Sequence, residues 1–359
     1  MTNIVSLFSG GGGLDLGFIN AGYKILWAID NNENAVKTYK KNIGAHIKCA
    51  DIIKVELNDI PRADVIIGGP PCQSFSLAGM RNIEDVRGQL IWQYMKILKK
   101  VQPKAFVFEN VTGLLSAKNK SGEKIVDQLK TAFREIGYNV EMQVMNAADY
   151  GVPQKRRRVI IVGLKKGNFI FPAPTHGDLS KGLIPYISVR QALDDLGVPV
   201  YDENGVAEYK YPPQNEYQKV MRSKDLVTEH FMPRMSELDK YICLHVKPGG
   251  NYNDIPKDVP SKRIKRLQRE GGHTTCYGRM LPDEPSYTIN TYFNRPNVGC
   301  NIHYSQDRLI TVREALRLQS FPDSYQIISS SKQGRNLIVG NAVPPLLAEV
   351  IARELKKYL

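Results

Sequence analysis

Near its start the chain reads Ile4-Val5-Ser6-Leu7-Phe8-Ser9-Gly10-Gly11-Gly12-Gly13-Leu14-Asp15, in which a short apolar run meets four glycines and then a helical pattern. Because glycine lacks a Cβ atom, such a turn lets the backbone approach a ligand closely. The spacing matches neither G-x-G-x-x-G nor G-x-x-x-x-G-K-S/T, the patterns typical of dinucleotide and phosphate binding. The turn therefore fits a nucleoside cofactor without phosphates, or it is only a tight connection between strand and helix.

Outward from this turn, apolar runs alternate with helical patterns through the first half of the chain. The runs lie at 4–8, 25–29, 65–67, 105–108, 140–144 and 159–162, and the helical patterns at 14–21, 34–41, 89–100 and 124–136. This alternation predicts an α/β fold, with a mostly parallel sheet covered by helices on both faces. Ligands of such sheets bind beyond the carboxyl ends of the strands.

The alternation stops after about Pro172, where the chain becomes rich in Pro, Tyr, Asn and basic residues. Helical periodicity returns at 312–319 and 346–355. We therefore predict a first domain over residues 1–175, a smaller, loop-rich domain over 176–310, and a C-terminal segment, 311–359, that returns to the first domain.

Charge and cysteine content narrow the class of protein. The 359 residues include 49 Lys and Arg against 36 Asp and Glu, a formal net charge of +13 that favours nucleic acid as a partner, although a solvated positive face gives the same number. The five cysteines are Cys49, Cys72, Cys243, Cys276 and Cys300, and none forms a C-x-x-C pair. This usage argues against disulfides and structural zinc, and favours a reducing cytoplasm. No signal peptide or membrane span is expected.

Two acidic residues follow the next predicted strands. Asp30 ends the second strand and Asp51 follows the third, where carboxylates can accept hydrogen bonds from ribose hydroxyls and an adenine amino group. Either residue could instead cap a helix. Together with the glycine turn they outline a pocket for S-adenosylmethionine.

A proline-rich loop follows the strand at 63–69 and reads Pro70-Pro71-Cys72-Gln73-Ser74-Phe75-Ser76. Two prolines hold the backbone extended, and the residues after Cys72 are mostly polar. Structural cysteines prefer apolar cores. A cysteine in this context, at the carboxyl end of a strand, is expected to be reactive.

At this point the chain resembles the DNA cytosine carbon-5 methyltransferases of the bacterial restriction-modification type. The matching motifs, in family order, are Phe8–Gly13, Pro71-Cys72-Gln73, Phe108-Glu109-Asn110-Val111, Gln154–Arg158, Arg313–Asp323 and Gly340–Pro345. They cover nearly the whole chain. Three positions depart from the family pattern: Leu14 where Phe is frequent, Asp30 where Glu is commoner, and Asn31 where an aromatic residue is usual. These departures concern how adenine packs rather than the reaction.

The resemblance implies a Rossmann-like, S-adenosylmethionine-dependent methyltransferase sheet with a smaller, loop-rich target-recognition domain. It implies that the chain methylates carbon 5 of a specific cytosine in double-stranded DNA, through covalent addition of Cys72 to carbon 6 of a flipped-out base. Glu109 would be held protonated and donate to N3, while Arg156 and Arg158 would fix the pyrimidine carbonyl and favour the thiolate.

The predicted sites follow. The catalytic set is Cys72, Glu109, Arg156 and Arg158, and the cofactor set is Phe8, Gly10, Gly12, Asp30, Asp51, Ile52, Pro71, Leu90 and Asn341. The DNA-binding set is Gln73, Ser76, Arg87, Lys262, Arg263, Arg279, Thr288 and Arg295. No metal is expected. We expect a cytoplasmic monomer, accompanied in a restriction-modification system by an endonuclease acting on the same site.

Other interpretations remain open from the sequence. The same chemistry on tRNA is the nearest rival, and a catalytically inactive DNA-binding module is a rival of another class. A zinc nucleobase deaminase is excluded, because no histidine begins H-x-E and Pro71-Cys72 is not followed by a second cysteine at the required spacing. Glu109 could form a surface ion pair, Arg157 could be only a surface cation, and the basic run at 262–269 could serve solubility.

Overall fold

The chain is divided between two units, each discontinuous in sequence. The computed structural model describes residues 1–71, 86–119, 121–222 and 226–359. The first unit comprises Met1–Asn146, Arg157–Ala173 and Val343–Leu359, and the second comprises Ala147–Arg156 and Pro174–Ala342. The predicted boundary at 175 lies two residues from the observed one. The C-terminal segment differs from expectation, because only its part after Ala342 belongs to the first unit.

A seven-stranded sheet forms the centre of the first unit. Its strands are β1 (Asn3–Leu7), β2 (Lys24–Asp30), β3 (Ile47–Cys49), β4 (Val65–Gly68), β5 (Ala105–Val111), β6 (Asn139–Asn146) and β8 (Arg157–Leu164), in the spatial order β3-β2-β1-β4-β5-β8-β6. The first five are parallel, whereas β8 runs antiparallel to both β5 and β6. The sheet is thus mostly parallel, as the alternation predicts.

The central strands are apolar because both of their faces are covered. Ile4, Val5 and Leu7 of β1 are fully buried, and so are the three isoleucine and valine residues of β4. The helices of the first unit are α1 (Gly13–Asn20), α2 (Glu33–Asn42), α3 (Val86–Val101), α4 (Ile125–Glu135) and α11 (Pro345–Leu355).

The C-terminal helix α11 packs closely on α1. A Cβ atom at Gly17 would lie 2.4 Å from the Cβ of Ala348 and 2.5 Å from the carbonyl oxygen of Pro345. Only glycine permits this approach. The hydroxyl of Tyr23 adds a hydrogen bond of 3.0 Å to the carbonyl of Ala352. These contacts explain why the last residues of the chain return to the first unit.

The second unit contains short elements joined by long loops. Its helices are α5 (Val189–Leu193), α6 (Glu216–Met221), α7 (Glu237–His245), α8 (Lys262–Glu270), α9 (Val312–Arg317) and α10 (Lys332–Asn341). Its strands pair two by two: β7 (Gln154–Lys155) with β12 (Ser286–Tyr287), β9 (Ala207–Glu208) with β10 (Leu226–Val227), and β11 (Gly278–Arg279) with β13 (Cys300–Ile302).

A buried ion-pair network holds α9 inside this second unit. The guanidinium of Arg317, fully buried, lies 2.6 Å from a carboxylate oxygen of Asp323 and 2.8 Å from one of Asp195. It also donates to the carbonyl of Ala192, 2.8 Å away. Arg222 contacts the second oxygen of Asp195 at 2.8 Å. Because these partners belong to the second unit, α9 belongs there too.

No helix within the described part of the chain has the length and apolar character needed to cross a bilayer.

Replacing Arg317 with Met should destabilise the second unit strongly. The variant would remove the cation that joins Asp195 to Asp323 and leave Arg222 as the remaining close cation of Asp195; breaking a buried pair in this way costs about 3–5 kcal/mol in comparable cases. Urea unfolding measures the loss. Arg190→Met is the matched control, because Arg190 forms an exposed pair with Asp283 at 3.0 Å, and it should cost less than about 1 kcal/mol. Equal losses in the two variants would contradict this account of the network.

Candidate active site

The candidate site lies where three parallel strands end side by side. Leu7 at the end of β1 pairs with Gly68 at the end of β4, and Gly68 pairs with Phe108 of β5. The loop after each strand therefore starts at the same edge of the sheet. The glycine turn and the Pro70-Pro71 segment lie in these loops, and Glu109 and Asn110 lie near the end of β5 itself.

The glycine turn is fixed by the carboxylate at the end of β2. The N–H of Gly10 donates to one oxygen of Asp30 at 2.8 Å, and the N–H of Asn32 donates to the other at 2.8 Å. Burial raises the pKa of Asp30 above its ordinary value, and these backbone donors oppose the shift. Helix α2 is capped by Asn32, whose side chain accepts from Ala35. The carboxylate of Asp30 thus supports the turn and does not cap the helix.

Two glycines of the turn adopt left-handed backbone conformations, and one of them borders open space. Gly10 and Gly12 have φ angles of 55° and 89°, which favour glycine. Among the described residues, a Cβ atom at Gly10 would have nothing within 4 Å, whereas one at Gly12 would lie 2.2 Å from Ile43. Phe8, with φ 55°, packs against the core of the first unit. One side of the turn is therefore closed by packing while Gly10 borders open space.

The remaining cofactor candidates of the first unit lie around the same strands. Asp51 accepts a hydrogen bond of 3.0 Å from the N–H of Ile53, so it caps the short turn at Ile52–Lys54, as the alternative interpretation proposed. Ile52 is buried, and Leu90 of α3 is half-buried against the same core. Asn341 is exposed at the end of α10 in the second unit.

The sequence reasoning missed a buried polar network behind the glycine turn. Asp15 is fully buried, and its carboxylate accepts from the Ser6 hydroxyl at 2.9 Å and from the Tyr39 hydroxyl at 2.8 Å. The Tyr39 hydroxyl also lies 3.1 Å from Nε2 of His46. Burial raises the pKa of Asp15 to about 6, because the loss of water disfavours the charged carboxylate. A charged residue inside the apolar pattern of α1 was the available signal.

The Pro-Pro segment is held by a second residue that sequence reasoning did not single out. The carboxamide of Asn110, 3% exposed, donates to the carbonyl of Pro70 at 2.9 Å. Pro70 is buried and Pro71 is exposed. The predicted residues Cys72, Gln73 and Ser76 lie outside the described residues, as does the side chain of Arg87. Asn110 therefore fixes the last described residues before Cys72.

Glu109 and Arg158 form a largely buried ion pair. Nε of Arg158 lies 2.9 Å from Oε1 of Glu109, and the two side chains are 11% and 12% exposed. The antiparallel pairing of β5 with β8 brings the two residues together. A Cβ atom at Gly69 would lie 2.7 Å from Oε2 of Glu109, so the carboxylate also borders the segment leading to Cys72. This pair is not the exposed surface pair that the alternative interpretation assumed.

Arg156 has a different environment from Arg158. Its guanidinium is fully buried in the second unit and donates to the carbonyls of Ile289 at 2.9 Å and Gly340 at 2.7 Å. This buried, structural environment differs from the catalytic contact expected for Arg156. Arg157 is exposed, in line with its interpretation as a surface cation.

The candidate DNA-binding residues divide by exposure. Lys262, Arg263 and Arg295 are exposed. Thr288 is exposed too, and its hydroxyl donates to the carbonyl of Lys155 at 2.8 Å. Arg279 is only 5% exposed; it donates to the carbonyls of Val246, His303, Gln306 and Cys243 and pairs with Asp307. With its donors occupied inside the second unit, Arg279 cannot present them to base edges, which corrects that expectation.

Within the ranges that the structure describes, no three His, Cys, Asp or Glu side chains lie close enough together to hold a metal ion.

Comparison with protein families gives one match across nearly the whole chain. The model of the C-5 cytosine-specific DNA methylases matches residues 2–357.

The chain belongs to this family of DNA methylases.

It is therefore a DNA (cytosine-5-)-methyltransferase, and the resemblance stated from its motifs is confirmed.

Similar proteins support this assignment. The methyltransferase is 39% identical to the Type II methyltransferase M.NgoFVII of Neisseria gonorrhoeae, over 95% of this chain and 83% of that protein. It is 34% identical to the Type II methyltransferase M.MthTI of Methanothermobacter thermautotrophicus, over 99% and 98% of the two chains.

Solved structures confirm the predicted fold class. A candidate DNA modification methyltransferase encoded within a prophage, from E. coli, covers 99% of both chains with a TM-score of 0.75 at 24% identity. The Dnmt2 methyltransferase of S. pombe covers 100% of this chain and 98% of its own with a TM-score of 0.61 at 17% identity. At these identities the likeness concerns the fold alone.

The Asp15 network gives the methyltransferase a specific pH dependence. Because burial raises the pKa of Asp15 from 3.8 to about 6, the native state binds the proton more tightly than the unfolded state. The resulting stabilisation is complete below pH 3.8 and is lost as the pH rises through 6. The stability of the wild type relative to Asp15→Asn should therefore fall by about 2 kcal/mol between pH 4.5 and pH 7.

Chemical denaturation at the two pH values measures this difference. Asp59→Asn is the control, because the Asp59 side chain is 57% exposed, and the variant should differ from the wild type by less than about 0.5 kcal/mol at either pH. A difference for Asp15→Asn that stays constant from pH 4.5 to pH 7 would show that the carboxyl group does not titrate in this range.

Proposed function

We propose that this methyltransferase modifies a specific cytosine in double-stranded DNA through a covalent intermediate on Cys72, with S-adenosylmethionine as the methyl donor. The observation that carries the proposal is the buried Glu109–Arg158 pair at the end of β5, 2.9 Å apart and adjoining Gly69. Gly69 precedes Cys72 by three residues in the sequence. The proposed acid, Glu109, and the cation of Arg158 thus lie at neighbouring strand ends, and the proposed nucleophile, Cys72, follows the end of β4 in the sequence.

The first step is addition of the Cys72 thiolate to carbon 6 of cytosine. The sulfur lone pair forms the S–C6 bond, the displaced π electrons of C5=C6 shift towards carbon 4 and N3, and the ring becomes an enamine that is nucleophilic at carbon 5. The negative charge that develops on the ring is neutralised by a proton given to N3. Glu109 is the donor that we propose for it.

Arg158 affects this proton transfer directly. Its guanidinium fixes the Glu109 carboxyl group through the 2.9 Å contact of Nε with Oε1, and the proton that Glu109 gives to N3 is replaced from water. Arg158 then offers its remaining N–H groups to the pyrimidine carbonyl oxygen, while one of them donates to the carbonyl of Arg157 at 2.9 Å.

The glycine turn supports the choice of methyl donor. S-adenosylmethionine supplies the methyl group when it is bound. The open space beside Gly10, the carboxylate of Asp30 and the apolar side chains of Phe8, Ile52 and Leu90 suit a nucleoside without phosphates. Each oxygen of Asp30 keeps a second lone pair for ribose hydroxyls. Gly12, Asp51, Pro71 and Asn341 complete the proposed set.

The reaction ends with loss of the proton on carbon 5 to water or hydroxide, and the electron pair of that C–H bond then expels Cys72. The base must leave the duplex for these steps, at a cost of a few kcal/mol in lost stacking and pairing. Contacts that offset the cost are proposed for Gln73, Ser76, Arg87, Lys262, Arg263, Thr288 and Arg295. We further propose a monomer in the cytoplasm that protects the recognition site of a cognate restriction endonuclease, as the names of the Type II relatives suggest.

Replacing Cys72 with Ser should reduce methyl transfer to below about a thousandth of the wild-type rate, because loss of a covalent nucleophile removes the whole pathway. Tritium transfer from labelled S-adenosylmethionine measures the rate. A duplex with 5-fluorocytosine at the target should form a covalent adduct with the wild type, since fluorine cannot leave as a proton. Mass spectrometry detects the adduct.

Cys49 provides the matched control, because it is exposed and lies in the same unit. Cys49→Ser should retain turnover and adduct formation. Adduct formation by the Cys72→Ser variant would rule out Cys72 as the nucleophile. Bisulfite sequencing of DNA from expressing cells identifies the modified cytosine, and methylation of tRNA in place of DNA would contradict the proposed substrate.

Glu109→Gln should lower kcat by about a hundredfold to ten-thousandfold, the range typical of a lost general acid. Affinity for S-adenosylmethionine should change little, because Glu109 is proposed to act on the base. Glu141→Gln, which alters an exposed carboxylate on β6, is the control and should leave both values unchanged. A Glu109 variant that loses cofactor affinity but keeps kcat would place this residue in the cofactor site instead.

A further inference from the structure

Helix α8 of the second unit is anchored along one side. Ile264 is fully buried in a hydrophobic cluster of that unit, and Leu267 packs against the same cluster. The carboxamide of Gln268 donates to the carbonyls of Tyr252 at 2.9 Å and Ile255 at 2.6 Å. These three residues lie within one arc of the helix, since successive residues are about 100° apart. These contacts fix which side of α8 faces the rest of the second unit.

Four basic residues lie on the opposite side of the helix, and we call them the basic stripe. They are Lys262, Lys265, Arg266 and Arg269, all exposed. At about 100° per residue they fall within an arc of about 100° that is centred opposite the anchored side. Arg263, also exposed, lies beside the stripe.

Charge on the basic stripe is little compensated. Across residues 1–71, 86–119, 121–222 and 226–359, the one stripe residue that has a carboxylate within 4 Å is Arg269, whose partner is its neighbour Glu270. Elsewhere in the same unit, Lys219 pairs with Glu216 at 2.5 Å and Lys240 with Glu237 at 2.7 Å. Like charges three and four residues apart destabilise a helix slightly. An anionic partner would remove that repulsion.

The length of the stripe fits a nucleic-acid backbone. Lys262 and Arg269 are seven positions apart, which corresponds to about 10 Å along a helix. One strand of duplex DNA places a phosphate about every 3.4 Å along its axis. The stripe therefore spans about three phosphates.

We infer that the basic stripe of α8 binds the phosphate backbone of the DNA substrate and positions the second unit on it, without reading sequence. The inference rests on the proposed DNA substrate. Contacts of this kind raise affinity for every duplex equally and make binding strongly dependent on salt, because bound counterions are released from the DNA.

The test compares two double variants of the full chain. Lys262→Gln/Arg266→Gln removes two charges from the stripe, and Lys219→Gln/Lys240→Gln removes two exposed but carboxylate-paired lysines. Fluorescence anisotropy measures binding to duplexes with and without the target site at several KCl concentrations. The stripe variant should lose affinity about tenfold to a hundredfold at 0.1 M salt, and the slope of log K against log[KCl] should become less steep by about 2. The control should match the wild type.

Several results would overturn the inference. A stripe variant with the wild-type slope would show that the stripe makes no phosphate contact. Loss of affinity confined to target-containing duplexes would assign it to base reading, and tighter, stripe-dependent binding to tRNA would make RNA the partner. Thermal unfolding of both variants checks that α8 remains folded.

The binding experiment tests the inference about the basic stripe independently of the proposed methyl transfer. Binding is measured without methyl transfer, so a wild-type chain that binds duplex DNA but forms no 5-methylcytosine would contradict the proposed function alone. In that case the salt slopes of the two variants still decide whether the stripe contacts phosphate.

Discussion

The hydrogen bond from the Asn110 carboxamide to the Pro70 carbonyl joins two neighbouring strand ends, and the candidate site depends on it. Parallel pairing already places the ends of β4 and β5 at one edge of the sheet, but it does not fix the loop that follows β4. The buried carboxamide of Asn110 fixes the start of that loop by donating to the Pro70 carbonyl at 2.9 Å. It fixes Pro70 close to Glu109, so the described segment that precedes Cys72 in the sequence takes its position from the sheet.

The alternation of strands and helices was enough to predict most of the first unit, because its longer strands and helices show a period and are buried on a recognisable face; the three-residue β3 was not among the predicted apolar runs. The second unit offers no such pattern, since its strands are two or three residues long. The assignment of residues 311–342 could not be predicted either. It depends on the ion pair of Arg317 with Asp195, which is 122 residues away in the sequence. Local sequence patterns do not predict so distant a contact.

The environments of the arginines could not be predicted from local sequence either. Arg156 and Arg158 belong to one motif, yet Arg156 is enclosed by carbonyls of the second unit while Arg158 faces Glu109. Arg279 was expected on the DNA and is instead surrounded by carbonyl oxygens. A guanidinium suits buried carbonyls, carboxylates and phosphates equally well. The presence of arginine in a sequence therefore predicts that its guanidinium will donate to oxygen atoms. The packing around the side chain decides which oxygen atoms these are.

The two units also differ in the positional accuracy that their proposed functions require. Covalent addition needs reacting atoms at about 3–3.5 Å in the correct direction, and the proposed groups for it arise from strand ends supported by buried hydrogen bonds. Binding a duplex through its phosphates tolerates more variation, because counterion release depends on charge rather than on exact geometry. Short helices joined by loops are sufficient for such contacts. A large, regular sheet is thus expected where bonds are made, and a loop-rich unit with exposed cations where the polyanion is held.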